Sequence, residues 1–352
     1  MNDKNCIIIN EKNVQSNIKE LSKLISPEKL YVVCKSDNYG LGNDILHLLK
    51  KYDDYIDGYC VSDLEEAVHL RKKGILKPVI ILGIIDIATD LEIIHRLNFE
   101  FVIPSLDFFK SIKPKECSLA HLAVDVGLGR IGITEKKELD EIISIALDQK
   151  IKFKGIYTHH SSSNKKIIEH ENELFNEYLI NAMEIVNSFH SGSSSSFSSK
   201  LDKGNIYRIG AAIFGMYQEN SIFKNRPIAM LCSKVVHLKK IKAGCAVGYN
   251  SEYVCPREGW IVNIPLGYGD GFVSRMKNFK VQVGSKIGII ASVCMNQTMI
   301  FVEEKPQINE KVILIGTGET CNNTLFDATN HLGIHEDEFF CQLSKQILRK
   351  VR

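Results

Sequence analysis

The residues best placed to do chemistry begin at Lys35. An apolar run, Tyr31-Val32-Val33-Cys34, delivers this lysine to the end of a strand, and Ser36-Asp37-Asn38-Tyr39-Gly40-Leu41-Gly42 follow at once. An amine at the mouth of a buried strand needs a partner or a reaction there, and a desolvated lysine is a nucleophile that condenses with an aldehyde cofactor. Gly40 and Gly42 let backbone approach a ligand closely, and Tyr39 offers a hydroxyl to an anionic group. Three more polar sets stand where apolar runs end. Arg130 follows Asp125-Val126-Gly127-Leu128-Gly129, His159 and His160 follow Gly155-Ile156-Tyr157-Thr158, and Arg208 precedes Ile209-Gly210-Ala211. Singly, each fits an ion pair on a rim or a hydrogen-bonded core histidine. Four together at strand ends point to a shared site.

Strands and helices must alternate to hold such a set. Val14, Ile18, Leu21 and Ile25 recur at helical spacing before the strand Leu30–Val33. Ser62 with Glu65 reads as a capping box opening a helix over 63–73 that Gly74 ends. Strands are expected at 78–85, 99–103, 119–126 and 153–158, and helices at 90–97, 106–112, 136–147 and 167–189. Regular alternation of this length predicts a (β/α)8 TIM-type barrel, whose reactive groups lie at the C-terminal strand ends. Ser191–Ser199 is serine-rich and reads as a loop. After Phe223–Pro227 the pattern becomes short Val- and Ile-rich runs at 233–241, 260–265, 279–283, 286–290, 299–302 and 311–315, with a helical pattern next at 339–348. That predicts a C-terminal β-strand domain. The division expected is a barrel over residues 10–225 and a β domain over 226–352, with residues 1–9 joining the latter as a strand.

Composition narrows the class. The 352 residues are 44% hydrophobic and 24% charged, enough for a large core without staples. A net charge of +2 and no basic stripe argue against nucleic acid. No apolar run approaches a membrane span, and the N-terminus lacks a signal-peptide layout. The 10 cysteines are scattered singly with no CxxC pair, so no metal site is signalled and reduced thiols in the cytoplasm are expected.

The motifs Lys35-Ser-Asp-Asn-Tyr39-Gly, Asp125-Val-Gly-Leu-Gly-Arg130-Ile-Gly, Thr158-His159, Arg208-Ile-Gly, Val247-Gly-Tyr249, Ile264-Pro-Leu-Gly-Tyr-Gly-Asp-Gly271 and Cys294-Met295-Asn-Gln297 resemble, in order, those of the bacterial alanine racemases. The resemblance runs from the first helix almost to the C-terminus. It implies a pyridoxal 5′-phosphate (PLP) enzyme, a homodimer with shared sites, and a small-molecule amino-acid substrate. On that resemblance Lys35 holds PLP and serves as one base, and Tyr249 of the other subunit serves as the second. Racemisation removes a Cα proton on one face and returns it on the other, so a group is needed on each side. A phenol is a weak base at neutral pH and needs a cation or hydrogen bond beside it. His159 would bond Tyr249, and Arg208 would bond His159 and face the cofactor's ring nitrogen. Tyr39, Ser194, Gly210 and Ala211 would cradle the phosphate, His190 belongs to the cofactor-binding set, and Arg130 and Met295 would hold the substrate carboxylate.

Departures from the family pattern bear on the substrate. Ala123 stands where many members carry a carbamylated lysine that orients the arginine. Asn296 and Ser292 replace the usual Asp and Arg, and Asn164 falls where Asp is common. Aligning Cys341-Gln342-Leu343-Ser344 with the closing motif puts Asp337 where a tyrosine normally narrows the pocket. A carboxylate there would accept hydrogen bonds from a hydroxyl or cationic side chain. The chemistry expected is therefore L/D interconversion of alanine, or the same reaction on serine or a basic amino acid such as lysine, ornithine or arginine. A fold-related PLP decarboxylase and a non-catalytic PLP-binding protein are the alternatives. The first wants an acidic partner for the ring nitrogen, where Arg208 stands.

Overall fold

Residues 4–198, 204–217 and 222–352 are described in a computed structural model. Ser199, at the end of the serine-rich stretch, and residues 1–3 lie outside the described residues. The first strand, β1 (Cys6–Ile9), leads through the Asn10 cap into the helix Glu11–Ile25, whose buried face is Val14, Ile18, Leu21 and Ile25. Eight parallel strands follow: β2 (Lys29–Val33), β3 (Gly58–Val61), β4 (Val79–Ile81), β5 (Phe101–Ile103), β6 (Ala120–Ala123), β7 (Gly155–Tyr157), β8 (Phe189–His190) and β9 (Ile206–Ile209). They pair in two arcs, β4-β3-β2-β9 and β5-β6-β7-β8. A parallel bridge between Ile80 and Glu100 closes one seam. The other is closed where Asn205 and Phe189 exchange hydrogen bonds. Strands β3 to β7 are buried end to end, as a sheet covered by helices requires.

The C-terminal part is built on strands β10 (Ala229–Lys234), β11 (His237–Ile241), β12 (Ala246–Val247), β13 (Tyr253–Val254), β14 (Gly259–Ile264), β15 (Lys280–Val283), β16 (Lys286–Val293), β17 (Thr298–Val302), β18 (Lys311–Ile315) and β19 (Leu348–Val351). Nine strands form one sheet in the order β11-β14-β17-β16-β15-β18-β10-β1-β19, and β12 and β13 make a separate hairpin. β1 lies in this sheet, antiparallel to β10 and parallel to β19.

Several sequence expectations need correction. The long helix ends at Ala182, and Phe189, read as its last residue, belongs with His190 to strand β8. The helix after Ser62 is capped by Asp63, whose carboxylate accepts from the Glu66 amide at 2.8 Å, and Ser62 instead bonds Glu66. The serine stretch forms a helical turn at Ser194–Ser198. The run at 233–241 splits into β10 and β11 around Val235-Val236. A helix at Leu325–Leu332 was not expected, and the pattern at 339–348 resolves into the helix Glu336–Cys341 and the start of β19.

Candidate functional site

Strand β2 ends at Val33, and the chain then makes a left-handed turn. Ser36, Asp37, Asn38 and Tyr39 all have φ between 53° and 58°. Each such residue costs roughly 1–2 kcal/mol, so the turn must be held from outside. The Glu66 carboxylate accepts from the Ser36 amide at 2.5 Å, and the Asn38 side chain donates to the Gly42 carbonyl at 3.1 Å. From the C-terminal sheet, Arg349 donates to the Gly40 carbonyl at 2.9 Å. Gly40 itself has φ 75°, and a Cβ there would stand 2.2 Å from the Phe340 carbonyl oxygen. Clamped this way, the turn aims Lys35 and Tyr39 into one cavity of about 500 Å³ at the C-terminal mouth of the barrel.

The Lys35 amine lies 5.9 Å from the centre of the Tyr39 ring. Tyr39 packs on Phe214 and reaches Gly210, where a Cβ would stand 2.1 Å from its hydroxyl. Burial raises the Tyr39 phenol, and the Asp337 carboxylate raises it further. Ser194 accepts from the Ala212 amide at 3.3 Å, while the amides of Gly210 and Ala211 have no hydrogen-bond partner among the described residues. Tyr39, Ser193, Ser194, Gly210 and Ala211 thus make a small donor-rich concavity.

Arg208 is 4% exposed and lies over the Tyr157 ring at 4.9 Å. Its guanidinium donates to the Thr158 carbonyl at 2.7 Å, to the Gly192 carbonyl at 3.2 Å and to His190 Nδ1. His159 lines the cavity without hydrogen-bonding Arg208. Burial is the main cause that pulls its imidazole down to about 3, with the charges of Arg208, Arg130 and Lys35 adding to it. It is therefore a neutral imidazole at physiological pH. On the opposite wall, Asp125 accepts from the amides of Gly127 and Arg130 at 2.9 and 2.7 Å. Burial would raise that carboxyl, and these loop amides outweigh it. The Arg130 guanidinium reaches the cavity with no ion pair among the described residues. Ala123 packs with Val102 and Tyr157, so an apolar floor lies below it.

Residues 9–218 match the sequence pattern of the alanine racemase N-terminal domain, and residues 228–351 that of its C-terminal domain. The chain belongs to the alanine racemase family. Alanine racemase of Lactococcus lactis subsp. cremoris is 32% identical over 97% of this chain and 96% of its own. That of Streptococcus equi subsp. zooepidemicus is also 32% identical, over 96% and 95%. The crystal structure of alanine racemase from E. faecalis superposes with a TM-score of 0.89 at 26% identity, covering 99% and 98% of the two chains. A histidine racemase from Leuconostoc mesenteroides subsp. sake shares the fold, with a TM-score of 0.86 at 23% identity over 99% and 98%.

Measured against the motifs of the alanine racemases, the cavity gathers Lys35, Tyr39, Arg130, His159, Ser194, Arg208, Gly210, Ala211 and Asp337. His190 does not line it; this histidine is fully buried behind Arg208 and stacked on Tyr157 at 5.1 Å. Tyr249 and Met295 also lie outside it, 72% and 57% exposed. Their loops lean on each other: a Cβ on Gly248 would touch the Ser292 side chain, and Ser292 donates to Glu252 at 2.6 Å. Gly269, next to Tyr268, donates to the Met295 carbonyl at 2.8 Å. Sequence reading missed His335, Glu336 and Tyr217 on the cavity wall, and Glu100 and His121 behind it. None of them carried a local signal.

Proposed function

We propose that this racemase interconverts L- and D-alanine with PLP held at Lys35, in a homodimer whose sites are each completed by Tyr249 and Met295 of the other copy. The observation that carries the reading is the convergence of Lys35, Arg208 and a donor-rich concavity on one cavity. The residues fit PLP. Two unpartnered amides, Tyr39 and Ser194 suit a phosphate, and Arg208 suits a ring nitrogen. Bound there, PLP supplies an aldehyde for Lys35 and a conjugated ring that acidifies the substrate Cα–H.

The chain's own residues then move the proton. Lys35 stands on one face of the substrate and accepts or returns the Cα proton there. Tyr249 of the other copy takes the opposite face, as inversion requires. Neutral His159 accepts a hydrogen bond from, or donates one to, that phenol without adding charge. Arg130 receives the substrate carboxylate, for which a planar guanidinium is suited. The wide exposure of Tyr249 and Met295 supports a partner surface in place of a self-contained site. Among the described residues no helix is long and apolar enough to cross a membrane; a cytoplasmic setting is part of the proposal.

Mixing two inactive variants tests the shared site. Lys35→Ala and Tyr249→Phe should each lose L/D interconversion, and refolding them together should restore about a quarter of wild-type activity, because half the dimers carry one intact site. No recovery on mixing would refute the shared site. No interconversion by wild type would refute the racemase reading itself. A second reading, the same reaction on serine or a basic amino acid, is favoured by Asp337 standing on the cavity wall beside His335 and Glu336.

A further inference from the structure

Behind Arg208 a line of polar side chains crosses the barrel interior, where branched apolar residues are the usual filling. Glu100 precedes β5, His121 is in β6, His190 ends β8 and Arg208 is in β9. All four are buried, at 7%, 1%, 0% and 4% exposure. His121 Nε2 lies 2.8 Å from Glu100 Oε2, and His190 Nε2 lies 3.2 Å from His121 Nδ1. His190 Nδ1 meets the Arg208 guanidinium. Room is made deliberately: a Cβ on Gly155 would stand 2.7 Å from His121 Nδ1.

The donors and acceptors can be arranged in one way. A guanidinium has only donors, so Arg208 donates to His190 Nδ1. The His190 proton must then sit on Nε2 and donate to His121 Nδ1. That leaves the His121 proton on Nε2, donating to the Glu100 carboxylate. Every proton points away from Arg208, and both imidazoles are neutral. Burial chiefly, with Arg208 and His121 adding to it, holds His190 well below its ordinary value, in keeping with this order. Burial would raise the Glu100 carboxyl, but the His121 hydrogen bond and Lys154 outweigh it. Lys154, at 3.6 Å and partly exposed, is the charge nearest its outer end.

We propose that Glu100 is a positioning residue for the racemisation proposed above, placing a buried carboxylate charge at the far end of the chain from Arg208 and, through His121 and His190, fixing which atom His190 presents to the guanidinium. At His190 the Arg208 guanidinium meets a lone pair, so it keeps its own protons at that contact. Positioning residues of this kind govern turnover more than substrate binding, since none of the three touches the substrate.

The test has two arms. Nitrogen-15 NMR on histidine-labelled wild type, with and without PLP, should show both His121 and His190 as neutral Nε2–H tautomers. Glu100→Gln keeps an oxygen acceptor but removes the charge. It should preserve those tautomers, lower kcat by about tenfold and leave KM for alanine within about twofold. His121→Phe should also lower kcat and release the His190 tautomer. A charged or Nδ1-protonated His190 in wild type would overturn the proposal, as would wild-type kcat in Glu100→Gln. If Glu100→Gln fails to fold, the wild-type tautomers together with Glu100→Asp kinetics decide, and unchanged kcat in Glu100→Asp and His121→Phe refutes the role. Wild type that interconverts no amino acid would instead overturn the racemase reading and this role with it, while the tautomer order would still be read.

Discussion

Acidification from pH 7 to pH 5 should destabilise this protein, and His159 alone should account for about 2 kcal/mol of the loss. Its imidazole is held down to about 3, first by burial and then by Arg208, Arg130 and Lys35. An unfolded histidine titrates near ~6.5. Between those values the unfolded chain binds a proton that the folded chain refuses. Stability from this group is therefore complete above about pH 6.5 and falls steadily as the pH drops toward 3. Integrating the proton difference between pH 7 and pH 5 gives the figure of about 2 kcal/mol. His159→Gln removes the titrating group and keeps a polar side chain of similar reach. Urea unfolding at one protein concentration, followed at both pH values, measures the effect, since concentration would matter for the proposed dimer. The gap between the two unfolding free energies should narrow by about 2 kcal/mol in favour of the variant at pH 5. Parallel pH dependence in the two proteins would refute the account of His159 as a half-buried neutral imidazole among cations.

Gly40→Ala should cost about 3 kcal/mol or more, because the added carbon meets the Phe340 carbonyl in a left-handed conformation; a thermal melt unchanged from wild type would contradict the clamp. Arg130→Lys should raise KM for the amino acid by roughly ten- to a hundred-fold, since an ammonium cannot make the bidentate contact, and an unchanged KM counts against its role. Asp337→Tyr should narrow the cavity and shift relative kcat/KM toward alanine and away from serine and lysine. Equal ratios in both proteins would remove Asp337 from the specificity argument.

Strand–helix alternation was legible because the barrel strands are buried on both sides and read as apolar runs between capped helices. It failed where an element is too short to show a period. β8 has two residues, so helical spacing ran on into it. The helix Leu325–Leu332 was missed although Thr324 and Asp327 form its capping box and Gly333 ends it. Of the site, Lys35, Tyr39, Arg130, His159 and Arg208 were readable as polar residues closing apolar runs. The left-handed turn was not, since Ser36, Asp37 and Asn38 read as any polar loop would. Nor was the Glu100–His121 pair, because its meaning depends on strands 21 positions apart facing one interior. Burial behind Arg208, which sequence spacing does not reveal, is what separates His190 from the cavity.

Strand β1 also has a mechanical consequence. The chain starts in the C-terminal sheet, passes into the barrel, and comes back, so two covalent crossings join the halves. Arg349 adds a third tether by gripping the backbone that follows Lys35. A hinge between the halves would have to shear β1 from β10 and β19 and tear that grip. These tethers oppose any hinge opening between the two halves, so access to Lys35 is expected through shifts of the surface loops around the cavity.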